Sequence, residues 1–381
     1  MRVLFWSYGP RGDVEPLVAL AARVRDLGAE PRMCVPSDFA ARLAELGLPM
    51  TLAGRSVFEG ARGLGGPPEP GQVAAEIGEL FDTVPAVADG CDVVVAAGLL
   101  SGAAAVRSIA ESRGIPYFYA VPSPLLLRLS PAQRAQYNQG ADAMFGGPIN
   151  ERRLALGLPP VRNLFDYGRT DRPWLAADPV LAPLDAGQVA EQTGAWLVPD
   201  ERPLGAELAA FLAAGPPPVY VGFGSGPAPA GVAEVAVAAI RAQGRRVILS
   251  RGWAGLEPPD DGDDLLAVDE VNVQVLFGRV AAVVHHGGTG TTHVATRAGV
   301  PQIVVPQIAD QPYFAARVAE LGIGVAHDGP APTVASLGAA LASALAPETG
   351  ERAAAVARTI RAGGTTVAAA ALLDAVSRAS V

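Results

Sequence analysis

The densest concentration of groups able to act on a ligand lies in Val284-His285-His286-Gly287-Gly288-Thr289-Gly290-Thr291-Thr292. An apolar run empties into two imidazoles and then into residues too small to cover the backbone, the pattern of a strand leading into a helix start. The first amides of such a helix have no intrahelical partner and its dipole is positive there, so a phosphate can be held without a basic side chain. His286, at the strand end, could donate to a diphosphate oxygen. The same residues also read as turn glycines beside satisfied core histidines, and the local sequence leaves both readings open. Successive strand residues face opposite ways, so a zinc site using both His285 and His286 is improbable.

Other turns offer further chemistry. Asp310-Gln311, after the strand expected at Gln302–Val305, sets a carboxylate and an amide at a helix start, suited either to vicinal hydroxyls or to capping. Gly9-Pro10-Arg11-Gly12-Asp13-Val14-Glu15-Pro16 places a carboxylate beside a guanidinium. Asp13 stands where an N-cap belongs, and a cap that faces a cleft could serve as general base. In Gly222-Phe223-Gly224-Ser225 the serine hydroxyl and amide could approach phosphate. In Ser250-Arg251-Gly252-Trp253 the indole could stack on a base or fill a domain-edge gap.

These turns require strands that deliver them. Arg2–Trp6 is apolar without alternation, as a strand buried on both faces reads, and Leu17, Leu20, Ala21, Val24 and Leu27 then recur at helical spacing up to Gly28. Further βα units follow at Arg32–Val35 with a helix opened by Ser37, Val93–Ala97 with Ala103–Arg113, and Pro116–Val121. The rhythm restarts at Pro218–Phe223 and continues through Arg246–Ser250, Leu265–Val268, Ala281–His285 and Gln302–Val305. The expectation is an α/β protein of two Rossmann-like, doubly wound parallel-sheet domains facing a cleft: residues 1–198, a linker at 199–204, and residues 205–366. An alanine-rich helix at 367–381 could pack on either domain. Gly63–Pro70 and Ser123–Gln139 read as irregular, partner-facing loops.

Composition removes several alternatives. All 29 basic residues are arginine, so a Walker A loop, a lysine Schiff base and a kinase-type phosphate lysine are excluded. A net charge of −9 with dispersed arginines argues against nucleic acid. Cys34 and Cys91 form no CxxC pair, and no apolar stretch reaches the roughly 18 residues of a membrane span, so a cytoplasmic protein without a membrane anchor is expected. A nicotinamide dehydrogenase would need GxGxxG after a strand, which GPRGDVEP does not supply.

The order of these motifs resembles the donor domain of UDP-glucuronosyl/UDP-glucosyl transferases, enzymes of GT-B fold. Val271-Asn272-Val273-Gln274 corresponds to that family's base-binding W-x-P-Q, His286 to its diphosphate histidine, Gly288–Thr292 to its phosphate loop, and Asp310-Gln311 to its sugar-hydroxyl pair. Over nearly the whole chain, segments such as MRVLFWSYGPRGDVEPLVALA, RPWLAADPVLAPL and HHGGTGTTHVATRAGVPQIVVP are similar to actinobacterial transferases that decorate vancomycin- and teicoplanin-type glycopeptides. In that group an aspartate replaces the catalytic histidine of plant relatives, and Asp13 matches it.

The resemblance implies an inverting, metal-independent glycosyltransferase with no cofactor. It would carry a hexose from a UDP- or dTDP-sugar to a hydroxyl of a heptapeptide glycopeptide aglycone. Asp13 or Asp310 would be the catalytic carboxylate. Arg11, Gly12, Ser225, Arg251, Trp253, Val273, His286, Gly288, Thr289, Gly290, Thr291, Asp310 and Gln311 would hold the donor. Val271 and Val273 replace the usual Trp and Pro. Val294 stands where many relatives have a ribose-binding glutamate, which permits a deoxyribose donor. The competing readings are a nucleotide-sugar 2-epimerase of the same fold and a transferase acting on another natural product.

Overall fold

The computed structural model describes residues 1–57, 70–226 and 228–379. By internal contacts the chain divides into Met1–Val198 with Ala362–Val381, and Pro199–Arg361. The sequence puts the end of the second domain at residue 366, and the packing puts it at Arg361. The segment expected as a linker, 199–204, is fastened to the second unit, because the carbonyls of Asp200 and Arg202 accept from Asn272 Nδ2 at 2.8 and 2.7 Å.

The first unit is built on a parallel sheet: β1 (Arg2–Tyr8), β2 (Glu30–Pro36), β3 (Met50–Gly54), β4 (Val93–Gly98), β5 (Tyr117–Val121), β6 (Trp174–Leu175) and β7 (Glu191–Gln192), in the order β3-β2-β1-β4-β5-β6-β7. Val3, Leu4, Phe5 and Trp6 are all buried, because helices cover both faces of a parallel sheet. The strand order reverses between β1 and β4, and crevices at such switch points are where open α/β sheets bind ligands.

The second unit repeats the plan with β8 (Val219–Gly222), β9 (Val247–Ser250), β10 (Leu265–Val268), β11 (Ala282–His285), β12 (Gln302–Val304) and β13 (Gly324–Ala326), ordered β10-β9-β8-β11-β12-β13. Its switch point lies between β8 and β11. Val221, Leu249, Val284 and Ile303 form the core with Leu341 of the helix Val334–Ala344.

Three details differ from the sequence reading. The first helix, Arg11–Asp26, has Pro10 at its N-cap position, so Asp13 lies inside the first turn and is not the cap. Ser37 opens a 3-10 turn, and the following helix is Ala40–Glu45. Most of Ser123–Gln139 is regular: a 3-10 turn at Leu125–Leu127 precedes the helix Pro131–Ala155, whose Ser130 and Gln133 bond reciprocally in a capping box. That helix is polar and largely exposed, so it lacks the apolar stripe by which helices are recognised. Of the Gly63–Pro70 loop, residues 63–69 lie outside the described residues. The final helix, Gly364–Ala379, packs against Arg11–Asp26. Among the described residues no helix is long and apolar enough to cross a membrane.

Candidate active site

In the second unit, the strand-end turns of β8, β9, β11 and β12 converge beside the switch point. β11 delivers both histidines, and their fates diverge. His285 is fully buried. Its Nδ1 accepts from the Gly287 amide at 3.1 Å, which leaves the proton on Nε2 to donate to Gln302 Oε1 at 3.0 Å. Gln302 Nε2 donates onward to Thr296 Oγ1, which donates to the Thr292 carbonyl. This relay ties strand, turn and helix together. Burial above all, then His286, pushes the His285 pKa down to about 3, so the ring is neutral. His285 is the satisfied core histidine.

His286 is different. It is buried, but among the described residues its Nδ1 has no hydrogen-bond partner. A buried unpaired acceptor is tolerated better than a buried unpaired N–H, which puts the proton on Nε2. Nε2 lies beside the glycine-rich turn: a Cβ at Gly288 would stand 2.4 Å from it. Burial lowers the His286 pKa to about 4, so the ring offers a neutral N–H donor.

Gly288 is the extended N-cap of the helix Thr289–Ala298, and no side chain caps it. The amides of Thr289, Gly290 and Thr291 therefore head the helix with the positive end of its dipole behind them. Gly287, at φ 91°, admits no side chain, because a Cβ there would meet Val304 Cγ1 at 2.7 Å.

The turn after β12 brings up the other polar pair. Asp310 precedes the helix Gln311–Glu320 and makes no side-chain cap; its Oδ2 accepts from Thr289 Oγ1 at 2.9 Å. The buried Gln311 turns Oε1 back to accept from the amides of Gln307 and Ile308 at 2.7 and 3.1 Å, so what it can offer a ligand is N–H. These bonds stabilise a strained turn: Ala309 sits at φ 55°, a conformation that costs a non-glycine residue about 1–2 kcal/mol. Such strain persists where the surroundings over-determine it.

From β8 and β9, the Trp253 amide donates to the Gly224 carbonyl at 3.2 Å, with Ser225 adjacent. Arg251 reaches Asp269 at 3.3 Å. Val273 begins the short helix Val273–Leu276, capped by Asn272 and in contact with Thr289–Ala298.

Asp13, Arg11 and Gly12 belong to the first unit. Asp13 occupies the first turn of its helix, where the dipole favours a carboxylate, and its Oδ2 lies 2.1 Å from where a Cβ of Gly9 would be. Burial, and then the Asp13 charge, push the pKa of Tyr119 up; the Tyr119 hydroxyl donates to the Gly98 carbonyl at 2.5 Å. Arg11 pairs with Glu15 at 3.0 Å. At the carboxyl ends of β1 to β4 a cavity of about 140 Å³ opens among Trp6, Tyr8, Leu52, Ile77, Leu99 and Phe145, rimmed by Arg55, Glu76 and Glu79. Sequence reasoning singled out neither this cavity nor Gly9, the His285–Gln302 relay or the Thr289–Asp310 bond.

The chain is 60% identical to a vancomycin aglycone glucosyltransferase of Amycolatopsis orientalis, over 99% of this chain and 98% of the relative. It belongs to the glycopeptide-antibiotic glycosyltransferases. A dTDP-epi-vancosaminyltransferase of the same organism is also 60% identical, over 93% of this transferase and 92% of its own length. The family described as Erythromycin biosynthesis protein CIII-like, C-terminal domain, matches residues 259–370. The crystal structure of glycosyltransferase VinC in complex with dTDP superposes with a TM-score of 0.72 at 21% identity, covering 99% of this chain and all of that one (100%). The transferase therefore has the GT-B fold, and it is an enzyme.

Proposed function

We propose that the transferase moves a hexose from a UDP- or dTDP-sugar to a hydroxyl of a glycopeptide aglycone, with inversion at the anomeric carbon. The observation that carries this reading is the convergence of the neutral His286, the uncapped helix start at Gly288–Thr291, and Asp310 at one switch point, in a chain with these relatives.

The acceptor oxygen forms its bond to the anomeric carbon as the bond to the diphosphate oxygen breaks on the opposite face. Asp13 takes the acceptor proton, and the leaving diphosphate takes the bonding electrons. Its growing charge meets His286 Nε2–H, the amides of Gly288 to Thr291 and the helix dipole, with Arg11 and Gly12 as further donors. These groups supply the stabilisation a divalent cation would otherwise give. Asp310 and the Gln311 N–H groups orient the sugar through its 3- and 4-hydroxyls. Ser225, Arg251, Trp253 and the backbone of Val273 hold the rest of the nucleotide. Val294 is nearly buried and apolar, consistent with a deoxyribose donor. The aromatic-lined cavity of the first unit is the seat for part of the aglycone.

The deciding experiment is mass spectrometry of a glycopeptide aglycone incubated with a panel of UDP- and dTDP-hexoses in EDTA. One hexose adduct, greatly reduced in Asp13→Ala, is expected. Donor conversion without an adduct would select an epimerase instead, and an adduct only on other natural products would replace the acceptor.

A further inference from the structure

We infer that Thr289 is a positioning residue for sugar recognition: its hydroxyl, which leaves the phosphate loop to bond Asp310, fixes the carboxylate that reads the donor hexose. The inference rests on the reading of Asp310 as the sugar-binding carboxylate.

The two residues lie 21 positions apart and come from different turns, after β11 and after β12. Thr289 is the first residue of the helix, so its amide faces the anion position while its Oγ1 donates to Asp310 Oδ2 at 2.9 Å. Backbone and side chain of one residue thus serve two parts of one donor: amide toward diphosphate, hydroxyl toward the hexose carboxylate. The neighbouring turn is also held in place, by the Gln311 bonds to Gln307 and Ile308 and by Gln307 Nε2 donating to the carbonyls of Val305 and Pro330. The backbone under Asp310 is therefore set, and the Thr289 hydroxyl holds the side chain above it. A neutral hydroxyl does this without cancelling the charge, so the carboxylate keeps its strength as an acceptor for sugar hydroxyls. Because Thr289 also heads the anion-binding helix, the seat of the diphosphate and the angle of the carboxylate share one anchor.

The test compares Thr289→Val, Thr289→Ser and Asp310→Asn with wild type. Affinity for the nucleoside diphosphate alone is measured by calorimetry, and kcat and KM are measured for the hexose donor and its C4 epimer. Thr289→Val is expected to bind the diphosphate within about two-fold of wild type, to lose about ten-fold or more in kcat/KM, and to lose discrimination between the epimers. Thr289→Ser restores both. If Thr289→Val keeps wild-type kcat/KM and discrimination while Asp310→Asn is impaired, the positioning role is wrong and the reading of Asp310 stands. Wild-type turnover in Asp310→Asn overturns that reading itself, and the inference with it. Equal losses of diphosphate binding and transfer in Thr289→Val mean that the loop was damaged, and also overturn the inference.

Discussion

The imidazole of His286 rests against the backbone of Gly224, so closely that a Cβ on that glycine would come within 2.7 Å of Cε1. Gly288 crowds the same ring from the turn after β11. The ring is confined by two glycines from different strand ends, and this confinement, rather than a hydrogen bond to Nδ1, sets its direction.

Gly288→Ala isolates that effect. Gly288 has φ −61° and ψ 143°, which alanine adopts freely, so the only conflict is with the His286 ring. We expect transfer to fall about 100-fold, as when one preorganised donor to a developing oxyanion is lost. Displacing the confined ring should also cost about 1–3 kcal/mol of stability, as overpacking does. Circular dichroism melts beside initial rates check this; a fully active Gly288→Ala would show that His286 need not hold its present direction.

Asp13 invites a paired test. Asp13→Asn should cost about 10²–10⁴ in kcat while leaving donor KM near wild type, the signature of a lost general base. Gly9→Ala, which pushes a methyl group into the Asp13 carboxylate, should give a milder loss of the same kind. Steady-state kinetics with both substrates varied would separate these outcomes, and unchanged kcat in Asp13→Asn would transfer the base role to Asp310.

The two histidines make stability depend on pH. Both are buried with pKa values lowered to about 3 and about 4, against about 6.5 in an unfolded chain. Below about pH 6.5 the unfolded chain binds protons that the folded one refuses, so stability is complete above that value and declines as pH falls toward the folded pKa values. The slope should rise toward about 1.4 kcal/mol per pH unit for each histidine as pH falls well below about 6.5. Urea unfolding between about pH 7 and pH 5 measures it, and His286→Gln should halve it.

A buried network away from the donor groups predicts a purely structural loss. Arg153, fully buried, donates to the Pro159 carbonyl, Ser108 Oγ, Glu111 and the Tyr167 hydroxyl, and so joins the helices Leu100–Ser112, Pro131–Ala155 and Leu164–Arg169. The Arg153 hydrogen bond, more than any other influence, holds the Glu111 carboxyl below its ordinary value. Arg153→Leu should destabilise the first unit by about 2–4 kcal/mol while nucleoside diphosphate affinity is retained. Denaturant titration and calorimetry give the two numbers separately.

What the sequence displays follows from burial. Strands such as Arg2–Tyr8 and Ala282–His285 announce themselves because both faces are covered, and the turns after them carry nearly all the residues proposed for chemistry. β13 is three residues long and escapes notice, as does Pro131–Ala155, whose polar surface has no stripe to detect. Asp13 reads as a cap because it precedes Glu15 and Pro16, yet the helix begins two residues earlier, where Pro10 supplies a suitable backbone angle without a side-chain cap. His285 and His286 are neighbours, and strand-end position and family resemblance already favour His286 as the diphosphate donor. Packing adds the physical reason: both nitrogens of His285 are engaged, while among the described residues His286 Nδ1 is not. The Thr289–Asp310 bond spans two turns and leaves no local mark.

The return of Gly364–Ala379 to pack on Arg11–Asp26 gives both ends of the chain to the same unit. The second unit is thereby an insertion with two joints, at Val198/Pro199 and Arg361/Ala362. A chimera that exchanges it for a relative's must cut at both places and keep the native last helix, since a single crossover would graft a foreign helix onto the first helix of the first unit. The same arithmetic favours the second unit as an exchangeable cassette, and makes the helix Gly364–Ala379 a poor place for deletions meant to spare the first unit.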